Sequence, residues 1–421
     1  MAPALTPAQA ATIKATVPVL AQYGEIITTK FYADLLASNP SLKNIFNTTH
    51  QATGHQPRAL AGALYAYAAN IDNLGALSPA VELICHKHAS LYIQPHHYEI
   101  VGTNLLATIK AVLGDAATPD IMDAWAAAYW QLADLMIARE AQLYAEAPNW
   151  TDWKDFRIAR KERESDEITS FYFEPVEEGF EVPVYRPGQY ISVNVFVDEL
   201  DGGVWQARQY SLSDAPGKGY LRISVKKEGG VDLGDAAASK AHAGYISNIL
   251  HEKKEVGDVV RLSHPYGDFF YEKEEADEES PVVLVSAGVG ITPLMSILSH
   301  LTANEPKRPI TWIHAARNAQ VRAFKPHIDG LAAANKNLKT VLFTADPSDD
   351  EVQGEHYDVK GRLDLEKLGK ERLYAGHDKT QYYTCGPTQF MLDVEAKLNS
   401  FGVPSERIKM ELFGTGGIPR V

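Results

Sequence analysis

The hydrophobic rhythm of this chain changes at Pro148-Asn149-Trp150, and again beyond the acidic run from Glu272 to Glu279. One core cannot serve three periodicities, and 421 residues exceed what a single core usually organises. Residues 1–147 are rich in Ala and Leu. Ser78-Pro79, Gln94-Pro95 and Thr118-Pro119 each join a capping or turn residue to a proline suited to the first helical position. That stretch predicts an all-α domain. From Trp153 onward the period is two, in Asp155 to Ile158, Ile168 to Phe173, Tyr190 to Val195 and Tyr220 to Val225. Gly and Pro punctuate these runs closely, which predicts an antiparallel β-barrel over 152–275. The acidic run reads as a solvated turn and linker. After it, strand and helix alternate through Pro281 to Ser286, Ile310 to His314, Thr340 to Thr344 and Gln381 to Thr384. That predicts an α/β domain with a parallel sheet over 280–421.

Composition narrows the function. A net charge of −14 argues against nucleic acid or an anionic membrane surface as partner. No apolar run approaches the ~18 residues of a membrane span, and the first residues lack the pattern of a signal peptide. Cys85 and Cys385 are the only cysteines, which excludes a disulfide framework and fits a reducing, cytoplasmic setting.

Four of the fourteen histidines fall between Cys85 and Tyr98. On a helix, Val81, Ile84, His88 and Leu91 share one face, while His86 lies about 160° from His88, on the polar side. Histidines two apart on a helix cannot share a zinc ion, which needs a spacing of four. His96 and His97 begin the next helix and also diverge. His88 alone enters the apolar interior. In neighbouring helices Tyr98 falls in line with Val101 and Leu105, and Glu140 with Leu132, Ala133 and Met136, so both project inward. A buried carboxylate requires donors. An imidazole N–H held by a carboxylate and a phenol leaves its other nitrogen an oriented metal ligand. The alternative is a buried polar triad that only keeps helices in register, and helical phase does not separate the two.

The motif Lys87-His88-Ala89-Ser90, followed by Gln94-Pro95-His96-His97-Tyr98, resembles the proximal segment of a globin, and the whole chain resembles the flavohemoglobins. The resemblance implies heme b, with His88 as axial ligand, Tyr98 and Glu140 behind it, and Lys87 beside it. Phe31-Tyr32 and Gly54-His55-Gln56 are similar to the family's distal segments. They imply that Tyr32 donates a hydrogen bond to bound O2, that Gln56 assists, that Leu60 limits access and that Phe46 packs on the heme. His55 is the competing distal candidate, and the family pattern favours Gln56.

The downstream motifs resemble ferredoxin-reductase-like flavin and nicotinamide domains. Arg208-Gln209-Tyr210-Ser211 follows an Arg-x-Tyr-Ser pattern. Its Arg can meet a pyrophosphate bidentately, its aromatic ring can stack on isoalloxazine, and its Ser can reach N5. Tyr190, after Arg186-Pro187-Gly188-Gln189, matches a Tyr set against the flavin, and Ser247 lies in a segment with further pyrophosphate contacts. Gly288-Val289-Gly290-Ile291-Thr292-Pro293 joins an apolar strand to a helix, and its glycines let backbone approach a pyrophosphate. Pro293 stands where a dinucleotide fingerprint has its third glycine, which fits the reductase pattern instead. Cys385-Gly386-Pro387 resembles the segment beside the nicotinamide, with Cys385 a neighbour of hydride transfer rather than a nucleophile. Glu411-Leu412-Phe413-Gly414 resembles the segment that covers the flavin, where the Glu influences its redox behaviour. Two stretches depart from the family: Val231 to Ala243 looks inserted, and Gly414-Thr415-Gly416-Gly417 lacks the usual Pro.

The cofactors implied are heme b, FAD and NAD(P)H, with O2 and NO as small-molecule partners. The resemblance implies a nitric oxide dioxygenase: NAD(P)H reduces FAD, FAD reduces heme, and heme-bound O2 oxidises NO to nitrate. A flavin between a hydride donor and a one-electron heme fits that order. An O2 or NO sensor, or an NAD(P)H-dependent flavin or ferric reductase, are the competing functions. A monomer is expected, and a lipid in the distal pocket is a further candidate partner. Arg317 is a candidate for a 2′-phosphate of NADPH, or a solvated surface residue.

Overall fold

The computed structural model describes residues 3–200, 202–229, 244–273 and 279–414. The inserted stretch Val231 to Ala243, most of the acidic run and the tail after Gly414 lie outside the described residues.

The first part is helical throughout: α1 (Pro7–Ala15), α2 (Val17–Ser38), α3 (Thr48–Ala52), α4 (His55–Ala69), α5 (Ser78–Ala89), α6 (Pro95–Leu113) and α7 (Pro119–Ala145). Local chemistry sets several of their starts. Thr6 and Gln9 form a reciprocal capping box at α1, and the Thr118 hydroxyl accepts from Ile121 N–H at α7. Pro79, Pro95 and Pro119 sit in the first turns of α5, α6 and α7, where a missing N–H costs nothing. Gly54 starts α4 with φ +71°, a left-handed turn that glycine adopts without steric cost. Phe31, Leu35, Leu105 and Ile109 form one part of the helical core, and Ile13, Tyr67, Ala124 and Trp125 another.

The second part is a six-stranded antiparallel sheet: β1 (Lys154–Arg163), β2 (Ile168–Pro175), β3 (Tyr190–Val197), β4 (Val204–Ser211), β5 (Leu221–Lys226) and β6 (Val259–Leu262), with α8 (Tyr245–Glu252) before β6. The order is β4-β3-β6-β1-β2-β5. A bridge between Leu212 and Ile223 joins the two ends, so the sheet closes into a barrel. Its interior is apolar, with Phe156, Phe171, Phe173 and Ile223 fully buried.

The third part alternates strand and helix: β7 (Val282–Ala287), α9 (Ile291–Asn304), β8 (Ile310–Ala316), α10 (Lys325–Ala334), β9 (Leu338–Thr344), β10 (Val359–Lys360), α11 (Gly369–Arg372), β11 (Gln381–Cys385), α12 (Thr388–Ser400) and β12 (Ile408–Glu411). The strands pair in parallel in the order β10-β9-β8-β7-β11-β12. Both faces are covered, one by α9 and α10 and the other by α12, which explains the continuous apolar runs of β7 and β8.

Candidate functional site

Inside the helical part, α5, α6 and α7 bring His88, Tyr98 and Glu140 together. The His88 Nδ1–H donates to Glu140 Oε1 at 2.8 Å, and the Tyr98 hydroxyl donates to the same oxygen at 2.5 Å. Nδ1 also lies 2.9 Å from the Tyr98 oxygen. Burial, then the adjacent Glu140, push the Tyr98 phenol far above its usual range, so it stays protonated and donates. These partners assign the imidazole proton to Nδ1. Nε2 has no hydrogen-bond partner among the described residues. The ring keeps 32% of its surface exposed although it stands on the inner face of α5. Val81, Ile84 and Leu91, on the same face, are likewise only half-buried, while Cys85 and Ala89 beside them are fully buried. An unpaired, oriented nitrogen among half-buried apolar side chains fits a flat, largely apolar, metal-centred group.

The helices α2 and α4 supply the other candidates. Gln56 Nε2 donates to the Tyr32 oxygen at 3.4 Å, so the phenol's own proton remains available to a ligand. Burial pushes Tyr32 up to about 12, which keeps that proton on. Phe46 meets the Tyr32 ring edge-on at 5.4 Å, and Leu60 packs half-buried in the same cluster. His55 turns away, with Nδ1 2.8 Å from the exposed Thr53 hydroxyl, so Gln56 is the neighbour of Tyr32. Behind Tyr98, the Tyr129 hydroxyl donates to its carbonyl at 2.6 Å. Gly102 makes room for that ring: a Cβ there would lie 2.3 Å from Tyr129 Cε1. Neither Tyr129 nor Gly102 was visible as a site residue in the sequence.

Two expectations for the histidine cluster change. His86 is not on a solvated face: it is buried, with Nδ1 accepting from Gly267 N–H at 3.0 Å and Nε2–H donating to Glu82 at 3.1 Å. The polar side of α5 is covered by the barrel. His96 and His97 do not diverge, since their ring centroids are 4.0 Å apart. His97 Nδ1 folds back to accept from Gln94 N–H, closing the cap of α6.

The barrel's β3 and β4 pair Tyr190 with Ser211 and Ser192 with Gln209, setting the predicted flavin residues side by side. Arg208 and Tyr210 alternate to the other face of β4. The Tyr190 hydroxyl is buried with no partner among the described residues, and burial together with Glu411 and Asp268 raises its pKa well above normal. Among the described residues the Arg208 guanidinium donates only to neutral oxygens, and burial lowers it to about 10. An orphaned phenol and an enclosed cation without an anion fit a ligand carrying both polar ring atoms and phosphates. Ser247, in the first turn of α8, donates to Gly244 O at 2.9 Å and accepts from Glu228 N–H at 3.3 Å.

The remaining motifs converge at the carboxyl ends of the parallel strands, where open α/β sheets bind ligands. Gly288, Val289 and Gly290 form a tight turn into α9, and the Thr292 hydroxyl donates back to Val289 O at 3.1 Å. Gly290 touches Cys385 and Gly386; a Cβ there would lie 2.2 Å from Cys385 O. Burial, then Glu411, hold the Cys385 thiol well above its normal range, which does not suit a nucleophile. The β11–β12 register sets Glu411 beside Cys385, and burial with Asp268 pushes Glu411 up to about 8. Leu412 and Phe413 follow, and the Phe413 ring is 43% exposed at the same edge. Lys87 of the helical part donates to Gly414 O at 2.5 Å. Arg317 is an exposed surface residue that pairs with Glu167 of the barrel at 2.5 Å.

The helical part and the barrel are further tied by Ser192 to Ser90 at 3.0 Å, His264 N–H to the Tyr92 hydroxyl at 3.0 Å, and Trp205 N–H to Asn44 at 2.9 Å. Tyr92 and Trp150 lie within the barrel's own hydrophobic cluster. Ser296 of α9 donates to Asp214 O at 2.6 Å, linking barrel and parallel sheet.

A helical heme-type pocket joined to a flavin-type barrel and a nicotinamide-type sheet defines an oxidoreductase that carries its own electron supply. Known families agree segment by segment: the globin family matches residues 29–136, the oxidoreductase FAD-binding domain 155–271, and the oxidoreductase NAD-binding domain 284–396. The chain belongs to the flavohemoprotein family: it is 48% identical to the flavohemoprotein of Bordetella parapertussis over 98% of this chain and all of that one. A crystal structure of flavohemoglobin from Malassezia yamatoensis with bound FAD and heme superimposes with a TM-score of 0.82 at 29% identity, covering 97% of this chain and 100% of that one. The FAD/NAD-binding domain of nitric oxide dioxygenase from Vibrio cholerae O1 biovar El Tor matches with a TM-score of 0.53 at 35% identity, covering 62% of this chain and 99% of that one. Heme, FAD and NAD are thus the cofactors of the family and of the matched domains.

Proposed function

We propose that the chain is a nitric oxide dioxygenase, using NAD(P)H and O2 to convert NO to nitrate. The observation that carries this reading is a pair of held protons among the globin helices, one on α5 and one on α2. Glu140 anchors the His88 N–H, and Gln56 orients the Tyr32 hydroxyl, within a chain that also provides its own reductase. The name of the Vibrio cholerae relative supports the same activity.

His88 would hold the heme iron through Nε2. Its partner Glu140, which accepts the His88 N–H and the Tyr98 hydroxyl on one oxygen, makes the imidazole more electron-donating, which suits oxygen activation rather than storage. Tyr32 would donate to the bound diatomic, and its raised pKa keeps it from ionising at working pH. Phe46 and Leu60 exclude water from the pocket. Arg208 would hold the flavin pyrophosphate, while Tyr190, Ser211 and Phe413 enclose the ring system. Gly290 lets the dinucleotide loop pack directly against the Cys385-Gly386 backbone, where a Cβ would clash, so that the loop and Cys385 together would flank the nicotinamide. When bound, the nicotinamide supplies hydride, the flavin divides the electron pair, and the heme iron supplies the oxygen chemistry. In sum, two NO, two O2 and one NAD(P)H yield two nitrate, one NAD(P)+ and one proton. The reading places a monomer in a reducing cytoplasm.

The test is NO consumption by the purified, heme- and FAD-loaded protein with NADH in air-saturated buffer. Nitrate should equal the NO consumed, with half as much NADH oxidised. NADH oxidation that ignores NO, or NO loss that yields no nitrate, rejects the activity in favour of a sensor or a ferric reductase.

A further inference from the structure

The short helix α3 of the globin faces the flavin domain, and two of its side chains carry buried polar atoms with no protein partner. His50 Nδ1 and Gln51 Nε2 are enclosed and unpaired among the described residues. The segment leading into α3 is clamped to β4. Gln206 accepts from Thr48 N–H at 3.1 Å and donates to the carbonyls of Lys43 at 2.7 Å and Phe46 at 3.2 Å. Two residues further along β4, Arg208 reaches Thr49 Oγ1 at 3.5 Å. Its remaining contacts are to Ala207 O at 2.7 Å and Gln206 Oε1 at 3.4 Å, both neutral. An imidazole and a guanidinium therefore share one crevice between globin and barrel.

The field in this crevice has one sign. Among the described residues, the charged or titratable groups acting on His50 are Arg208 from β4, His55 from α4 and Lys87 from α5, and every one is basic. The His55 ring centroid is 5.9 Å from that of His50. Among the described residues, a basic crevice with an enclosed guanidinium and unpaired side-chain nitrogens lacks a counter-anion, and phosphate oxygens would satisfy each group at once.

We propose that His50, assisted by Gln51, is a globin-side ligand of the flavin pyrophosphate, so that FAD is gripped from both domains. The inference rests on the reading that places this pyrophosphate at Arg208. It has a protonic consequence. Burial, then Arg208, His55 and Lys87, hold His50 down to about 4, so it is neutral before the flavin arrives. A doubly charged pyrophosphate reverses the local field and returns the imidazole to its ordinary range or above. Flavin binding then takes up a proton from solvent. Affinity for FAD also becomes a measure of how α3 sits on the barrel.

The experiment uses full-length, heme-loaded protein freed of flavin, titrated with FAD by calorimetry near pH 6 in two buffers of different ionisation enthalpy. The wild type should take up roughly half a proton or more per FAD. His50→Ala and His50→Gln should abolish that uptake and raise the FAD dissociation constant about tenfold, which is ~1.4 kcal/mol. An unchanged Soret band in each variant shows that the globin is folded, and His50→Gln keeps the test open if the smaller variant does not fold. Arg208→Ala is measured alongside. If Arg208→Ala weakens FAD while the His50 variants bind as the wild type does, the inference falls and the flavin site stands. If Arg208→Ala binds FAD normally, the site assignment itself falls. A wild-type proton uptake near zero also overturns the proposal.

Discussion

Replacing Glu140 by Gln tests the proximal arrangement most directly. Glu140 is 2% exposed, and one of its oxygens receives both the Tyr98 hydroxyl at 2.5 Å and the His88 N–H at 2.8 Å. Hydrogen bonds to a charged acceptor contribute about 1.5–3 kcal/mol, against about 0.5–1.5 kcal/mol for neutral pairs. The variant therefore weakens the hold on the imidazole proton by about 1–1.5 kcal/mol. A firmer hold on that proton makes the imidazole a stronger donor and favours the more positive, oxidised iron, so its weakening should raise the heme reduction potential. With one electron transferred, 59 mV corresponds to a tenfold change, and the expected rise is about 40–70 mV. Spectroelectrochemical titration of the heme band in wild type and variant measures it. Tyr98→Phe leaves the carboxylate in place and should move the potential less. A Glu140→Gln protein with a normal heme spectrum and an unchanged or lowered potential would refute the reasoning.

Four further outcomes follow from the same geometry. Tyr32→Phe removes a hydrogen bond of about 0.5–1.5 kcal/mol, so the O2 dissociation rate in stopped-flow measurements should rise about two- to thirteenfold; an unchanged rate removes Tyr32 from the ligand's side. Gly290→Ala drives a Cβ into backbone atoms of Cys385 and Gly386, so NADH should reduce the flavin far more slowly while dithionite still reduces it and FAD stays bound. His86→Ala strands the buried Gly267 N–H and should cost about 1–3 kcal/mol in urea unfolding; a loss below about 0.5 kcal/mol would mean that the amide finds another partner. His264 is held down to about 4 by burial, so the unfolded chain binds its proton first as pH falls. Stability should therefore decline from about pH 6.5 to about pH 4, and His264→Gln should flatten that slope; an identical slope would show that His264 does not titrate on unfolding.

Much of the site was legible because helical phase is a local property. His88, Tyr98 and Glu140 were each assigned inward from residues within two turns, and their hydrogen bonds show all three meeting. The same logic misplaced His86. Its position opposite His88 on α5 was read correctly, but that face is buried by Gly267 and Tyr266 of the barrel rather than by water. Tyr92 was missed for a related reason: it follows α5 with φ +55° and inserts into the barrel core. Gln206 and His50 look like ordinary polar residues in the sequence, and only the packing of α3 on β4 gives them partners or denies them.

The amino-acid order by itself determined the three architectures, since backbone geometry sets the periods of helix and strand within a few residues. It also placed the glycine turns and proline starts, whose steric effects act at the residue itself. Only the tertiary structure decided which outward faces remain wet, because that depends on segments more than a hundred residues away being brought against them. The gathering of Lys87, Glu411 and Cys385 at one edge, and of His50 with Arg208 at another, arises from domain packing that no local pattern encodes.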